Sequence, residues 1–181
     1  MDDDVEQLVE ALLDRNADWA VGAGGTDGPT RFGISEAVAR AHGYAGPMRR
    51  LPRADAARIC TRLYWLRPRF DQVAKRSPRI AAELFESGAN LGPAVAATFL
   101  QRVLTALNRN AGDYPDLVPD GRIGERTLAA LDLLLERRRC GEAALLRALE
   151  AVQGERYVRL AERRPANEAP LYGWLATRVP E

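Results

Sequence analysis

Apolar residues recur at helical spacing along most of the chain. Val5, Leu8, Val9, Leu12 and Leu13 share one face and predict an amphipathic helix over 3–15. Its acidic start suits the partial positive charge of a helix N-terminus. The glycine-rich stretch 20–31, which also holds Pro29, is incompatible with helix and predicts a loop or a small irregular strand region. Ser35 is placed to cap a short helix reaching His42, and 43–53 reads as a second loop. Ala54, Ala57, Ile59, Leu63 and Leu66 predict a helix that breaks near Pro68, and 70–75 adds a helical turn or two. Ser77-Pro78 is a helix start, with serine at the cap and proline in the first turn. That helix carries Ile80, Ala81, Leu84 and Phe85 and is expected to be interrupted at Gly88 and again at Gly92-Pro93. A long buried helix follows over 93–108, then a loop rich in Asn, Gly, Asp and Pro over 109–124. Helices over 125–138 and 142–163, a linker over 165–170 and a short segment over 171–179 complete the reading.

Composition narrows the function classes. The 181 residues carry 26 basic and 25 acidic side chains, a net charge of +1, so nucleic acid is not expected as the main partner. Arg49, Arg50 and Arg53, and the run Arg137 to Arg139, read as solvated faces. Cys60 and Cys140 are far apart and lack a nearby histidine or a CxxC partner, so both read as buried, reduced thiols and no metal site is expected. The one histidine, His42, lies in a glycine-flanked turn with no triad partners around it. No apolar run is long enough to span a membrane. The acidic opening Met1-Asp2-Asp3-Asp4 does not read as a secretory signal, so synthesis in the cytoplasm is expected, with release by some other route.

The loops carry the informative motifs. Gly28-Pro29-Thr30-Arg31-Phe32-Gly33-Ile34-Ser35 follows the first helix. Leu84-Phe85-Glu86-Ser87-Gly88-Ala89-Asn90-Leu91-Gly92 lies mid-chain, followed by Leu100-Gln101-Arg102 and Asn108. Asp120-Gly121-Arg122-Ile123-Gly124-Glu125-Arg126-Thr127-Leu128 and Gly173-Trp174-Leu175 with Arg178-Val179 come last. In this order the motifs resemble those of glycoside hydrolase family 108, the phage endolysin and secretion-associated muramidases, with a C-terminal region of peptidoglycan-binding type. The resemblance implies an all-α, lysozyme-like fold with two packed lobes, a catalytic-type lobe over 1–85 and a helical peptidoglycan-binding-type lobe over 86–181. It also implies hydrolysis of the β-1,4 bond after N-acetylmuramic acid, action at the cell wall or periplasm, and no cofactor. Peptidoglycan is the implied partner, and a holin or a secretion system is the implied means of release.

One departure bears on the chemistry. Counting back from Thr30, the family's catalytic glutamate falls on Asn16. Glycosidic cleavage needs a carboxylic acid to protonate the leaving oxygen, and a carboxamide has no such proton. Three readings stay open: a binding pseudo-enzyme, an alternative acid at Asp18 or Asp14, or a small gap that realigns Glu10 or Asp14 and breaks the spacing to Thr30. Thr30 and Phe32 are candidate sugar contacts, with Thr30 equally suited to a loop hydrogen bond. Tyr64 and Trp65 are candidates for stacking on sugar or for the core. Asn90 is placed at a helix break, either to bind an N-acetyl group or to take a left-handed conformation. Asp120-Gly121 reads as a tight turn, or as part of a wall-binding surface.

Overall fold

A computed structural model describes residues 3–17, 20–21 and 29–176. The described chain is predominantly helical and lysozyme-like, and it divides into two compact units, 1–85 and 86–181.

In the first unit, α1 (Asp3–Arg15) packs on α3 (Arg53–Thr61). The face expected to be apolar is the buried one: Val5, Val9, Leu12 and Leu13 are all at most 6% exposed. Three short antiparallel strands follow, β1 (Ala20–Val21), β2 (Pro29–Arg31) and β3 (Ile34–Ser35), in the order β1-β2-β3, with Thr30 opposite both Ala20 and Ser35. Ser35 ends the sheet and starts α2 (Glu36–Ala41), its Oγ accepting from the Val38 amide at 3.4 Å. A 3-10 turn at Met48–Arg50 leads into α3.

The helix expected to run to Pro68 changes pitch on the way. After Thr61 it widens into a π turn, Arg62–Leu66, in which the Arg67 amide reaches back to the Arg62 carbonyl at 2.9 Å. Pro68 has no amide to continue the ladder, and Arg69 turns left-handed (φ 65°) before α4 (Phe70–Ala74).

Helix α5 (Pro78–Leu91) starts as expected, with Ser77 Oγ accepting from the Ile80 amide at 3.1 Å. The expected interruption at Gly88 is absent. One glycine lowers helix stability by only about 1 kcal/mol, and Gly88 is buried inside a continuous helix. The break comes at Gly92, whose φ of 96° suits glycine, followed by Pro93 in the first turn of α6 (Pro93–Ala106).

In the second unit α8 (Gly141–Arg163) packs against α6, α7 (Glu125–Arg137) and α9 (Glu168–Ala176). Leu100, Leu104, Leu131, Leu145 and Leu149 are among its fully buried residues. The long connection from α6 to α7 holds no regular element, as its composition predicts, and is fixed by two buried carboxamides. Gln101 donates to Asp120 Oδ1 (2.8 Å), the Arg122 carbonyl (3.0 Å) and Thr127 Oγ1 (3.3 Å), and accepts from the Gly121 amide (2.9 Å). Gly121 has φ 74°, and a Cβ there would stand 2.8 Å from the Ala94 carbonyl oxygen, so the Asp-Gly turn requires its glycine. Asn108 holds the other half of the connection. No helix among the described residues is long and apolar enough to cross a membrane.

Candidate functional site at the end of the first helix

Helix α1 ends beside the position reached by counting back from Thr30. Asn16 is the first residue past the helix. Its amide donates to the Leu13 carbonyl at 3.2 Å, and its Nδ2 donates to the Leu12 carbonyl at 2.8 Å. The carboxamide therefore closes the helix end, satisfying a carbonyl that would otherwise lack a partner.

The β2–β3 turn meets it there. Arg31 pairs with Ile34, leaving Phe32 and Gly33 as a two-residue turn with φ of 55° and 72°. Two positive φ angles are the signature of a type I′ hairpin, in which Asn, Asp or Gly normally takes the first position. A phenylalanine there carries backbone strain of about 1–2 kcal/mol. Its ring offsets this by burial, being 8% exposed, and by two cations: the Arg31 and Arg53 guanidinium carbons lie 5.0 and 5.9 Å from the ring centroid. The turn brings Gly33 so close to Asn16 that an added Cβ would sit 3.4 Å from its Cγ.

Arg53 ties this turn back to α1. Its Nε donates to Glu10 Oε2 at 2.6 Å and its Nη2 to Asp14 Oδ1 at 2.7 Å. Glu10 and Asp14 are one helical turn apart, so one guanidinium can hold both. These hydrogen bonds, Glu10's first, raise the Arg53 pKa further above its ordinary value. Helix end, strained turn and first turn of α3 are thus braced into one rigid corner.

The sequence-predicted residues fall in different places. Asn16, Asp14 and Phe32 belong to this corner, and Thr30 lies half-buried in β2, two residues before the turn tip. Asp14 accepts from Arg53 Nη2 at 2.7 Å and is otherwise exposed. Asp18, like Trp19 and residues 22–28, lies outside the described residues. Trp65 is 8% exposed and packs edge-on against Phe85, ring centroids 6.2 Å apart, so nearly all its surface is engaged in packing. Tyr64 is half-buried, and burial raises its hydroxyl pKa. Asn90 belongs to the second unit and is exposed inside α5, not at a helix break; the left-handed residue is Gly92.

Sequence reasoning missed the roles of Glu10 and Arg53, whose one signal is the acidic row Glu6, Glu10, Asp14 at i, i+4 spacing. Glu6 and Glu10 border a groove of about 1110 Å³, lined also by His42, Arg58, Arg62, Leu63 and Leu66. The π turn forms one wall of it. Among the described residues, Glu10 is the one sequence-predicted candidate that lines this groove.

Comparison with known proteins agrees with the motifs. Residues 9–92 match the family described as Glycosyl hydrolase 108, and residues 95–179 match the family described as a Predicted Peptidoglycan domain. Brucella abortus SagA shares the fold at a TM-score of 0.61 and 16% identity, over 94% of this chain and 95% of that one. No curated protein matches the chain. The chain therefore carries, in the order its motifs suggest, a segment similar to glycosyl hydrolase 108 and then one similar to a predicted peptidoglycan domain.

Proposed function

We propose that this protein is a peptidoglycan-recognising relative of the muramidases whose first unit cuts the glycan slowly or not at all. The two matched families support a peptidoglycan-related hydrolase or binding role. The finer reading rests on Asn16. It stands at the end of α1 against the β2–β3 turn, where the family motif calls for the acid, and its side-chain donor is occupied by Leu12. A carboxamide cannot protonate a leaving sugar oxygen, and loss of a general acid typically lowers rate by about 10² to 10⁴. The neighbouring Asp14 is engaged by Arg53 and does not fill the role.

The competing reading is retained cleavage with Asp18 as the acid. It draws support from the sequence position of Asp18, three residues past Arg15, the last residue of α1. Sedimentation with purified cell wall and release of reducing sugar, measured on the protein and on Asp18→Asn, separate the readings. Wall binding with little release, unchanged in the variant, supports the proposal. Brisk release abolished by Asp18→Asn overturns it. Action at the wall follows from either reading; the means of reaching it, through a holin or a secretion system, is a proposal of the same resemblance.

A further inference from the structure

The loop after α6 is held in a conformation that a plain connection does not need. Arg109, Asn110 and Ala111 are consecutive, none is glycine, and all are left-handed, with φ of 47°, 56° and 58°. Each such residue costs about 1–2 kcal/mol, so surrounding contacts must enforce the shape. Asn108, with no exposed surface, does so with every polar atom it has. Its Oδ1 accepts from the amides of Asp113 (3.3 Å) and Tyr114 (3.0 Å); its Nδ2 donates to the Tyr114 carbonyl (2.5 Å) and to Asp116 Oδ1 (3.0 Å). Thr105 Oγ1 accepts from the Leu117 amide at 3.0 Å, and the Tyr114 hydroxyl donates to the Leu104 carbonyl at 2.7 Å.

Segment 114–117 fixed in this way forms one wall of a cavity of about 330 Å³, and α7 forms the other. That volume is at the lower end of small-ligand sites. Its lining is apolar at Pro115, Leu117, Ala129 and Leu133, with one anion, Asp116, and one cation, Arg126. Asp116 is aimed by Asn108. Arg126 has no hydrogen-bond or ion-pair partner among the described residues.

We infer that this cavity binds the peptide part of the cell wall, taking a carboxylate on Arg126 and an ammonium on Asp116. A guanidinium receives a carboxylate through two parallel hydrogen bonds, and a carboxylate receives an ammonium. Wall stem peptides carry both groups beside small methyl side chains, which suit the apolar lining. A glycan fits less well: Tyr114 is the cavity's one aromatic residue, 5% exposed with its hydroxyl already bonded, so no ring face is open for sugar stacking. The inference rests on the reading of the chain as wall-recognising and adds which wall component the second unit takes.

The test titrates the whole protein with a free stem tetrapeptide (L-alanyl-γ-D-glutamyl-meso-diaminopimelyl-D-alanine) by calorimetry. Saturable binding is expected, weakened at least about tenfold in Arg126→Gln, which leaves the fold intact because the side chain is exposed and unpartnered. Asp116→Asn is the second variant. It keeps an acceptor oxygen for Asn108, and thermal unfolding confirms that it folds. No saturable binding, or binding unchanged in both variants, overturns the inference. Sedimentation with intact wall and with amidase-stripped glycan strands separates this from failure of the broader reading. Equal binding to both materials with no peptide binding leaves wall recognition standing and the peptide site refuted. Binding to neither refutes both.

Discussion

Replacing Asn108 by alanine tests whether one buried carboxamide holds the α6–α7 connection. The substitution removes its side-chain hydrogen bonds and leaves the amides of Asp113 and Tyr114, and the Tyr114 carbonyl, without those partners. Both residues are at most 9% exposed, so water reaches these groups poorly. A buried polar group left unsatisfied costs about 1–3 kcal/mol. Two orphaned amides give roughly 2–6 kcal/mol, and partial relaxation of a surface turn brings the expected loss to about 3 kcal/mol. For a chain of this length that is a fall in Tm of about 6–12 °C. Denaturant unfolding followed by circular dichroism measures the loss. Hydrogen exchange at residues 113 and 114 localises it, because those amides should lose protection first. A loss under about 1 kcal/mol with unchanged exchange at both amides refutes the reasoning.

Gly33→Ala should destabilise by about 1–2 kcal/mol from the left-handed backbone alone, its Cβ meeting Asn16 in ordinary contact at 3.4 Å, so a neutral result by denaturant titration contradicts the turn described. Stability should fall in acid. The Asp120 carboxyl is held below its ordinary pKa by Gln101 and the Arg122 amide, and that of Asp113 by Arg109 and Arg138. A depressed folded pKa gives a contribution complete above about pH 4 and lost as pH falls through the folded value, so the denaturant midpoint should hold from pH 7 to 5 and drop between pH 4 and 2. Asp120→Asn should shrink that drop, and an unchanged drop argues against the Gln101 lock. Cys140 is exposed, whereas burial pushes the Cys60 thiol up to about 11. A maleimide at pH 8 should therefore label Cys140 at once and Cys60 only on unfolding; equal rates contradict the burial of Cys60.

Much of the helical architecture is legible because burial imposes a period on the sequence. Val5, Val9, Leu12 and Leu13 announce α1, and Ser77-Pro78 announces α5 through cap chemistry alone. The strands are too short for alternation to mark them, and Phe32-Gly33 is not a dipeptide that signals a type I′ turn. Gly88 misleads because local propensity is weaker than packing: inside a long buried helix a glycine stays helical. Gln101, Asn108 and the Asp-Gly turn are visible as a motif, but their roles as paired locks depend on contacts between residues up to 26 positions apart. The corner at Asn16 is half legible. Asn16 can be singled out by counting from Thr30, whereas the brace from Arg53 to Glu10 spans 43 residues and leaves only the acidic i, i+4 row as a trace.

The central claim is that the end of α1 retains the place of a muramidase acid without the acid. Restoring it by Asn16→Glu and measuring reducing sugar released from purified cell wall is the most direct test. The account predicts that this one change raises the rate by about 10² or more while wall binding stays the same. An unaltered protein that already cuts as fast as the glutamate variant contradicts it.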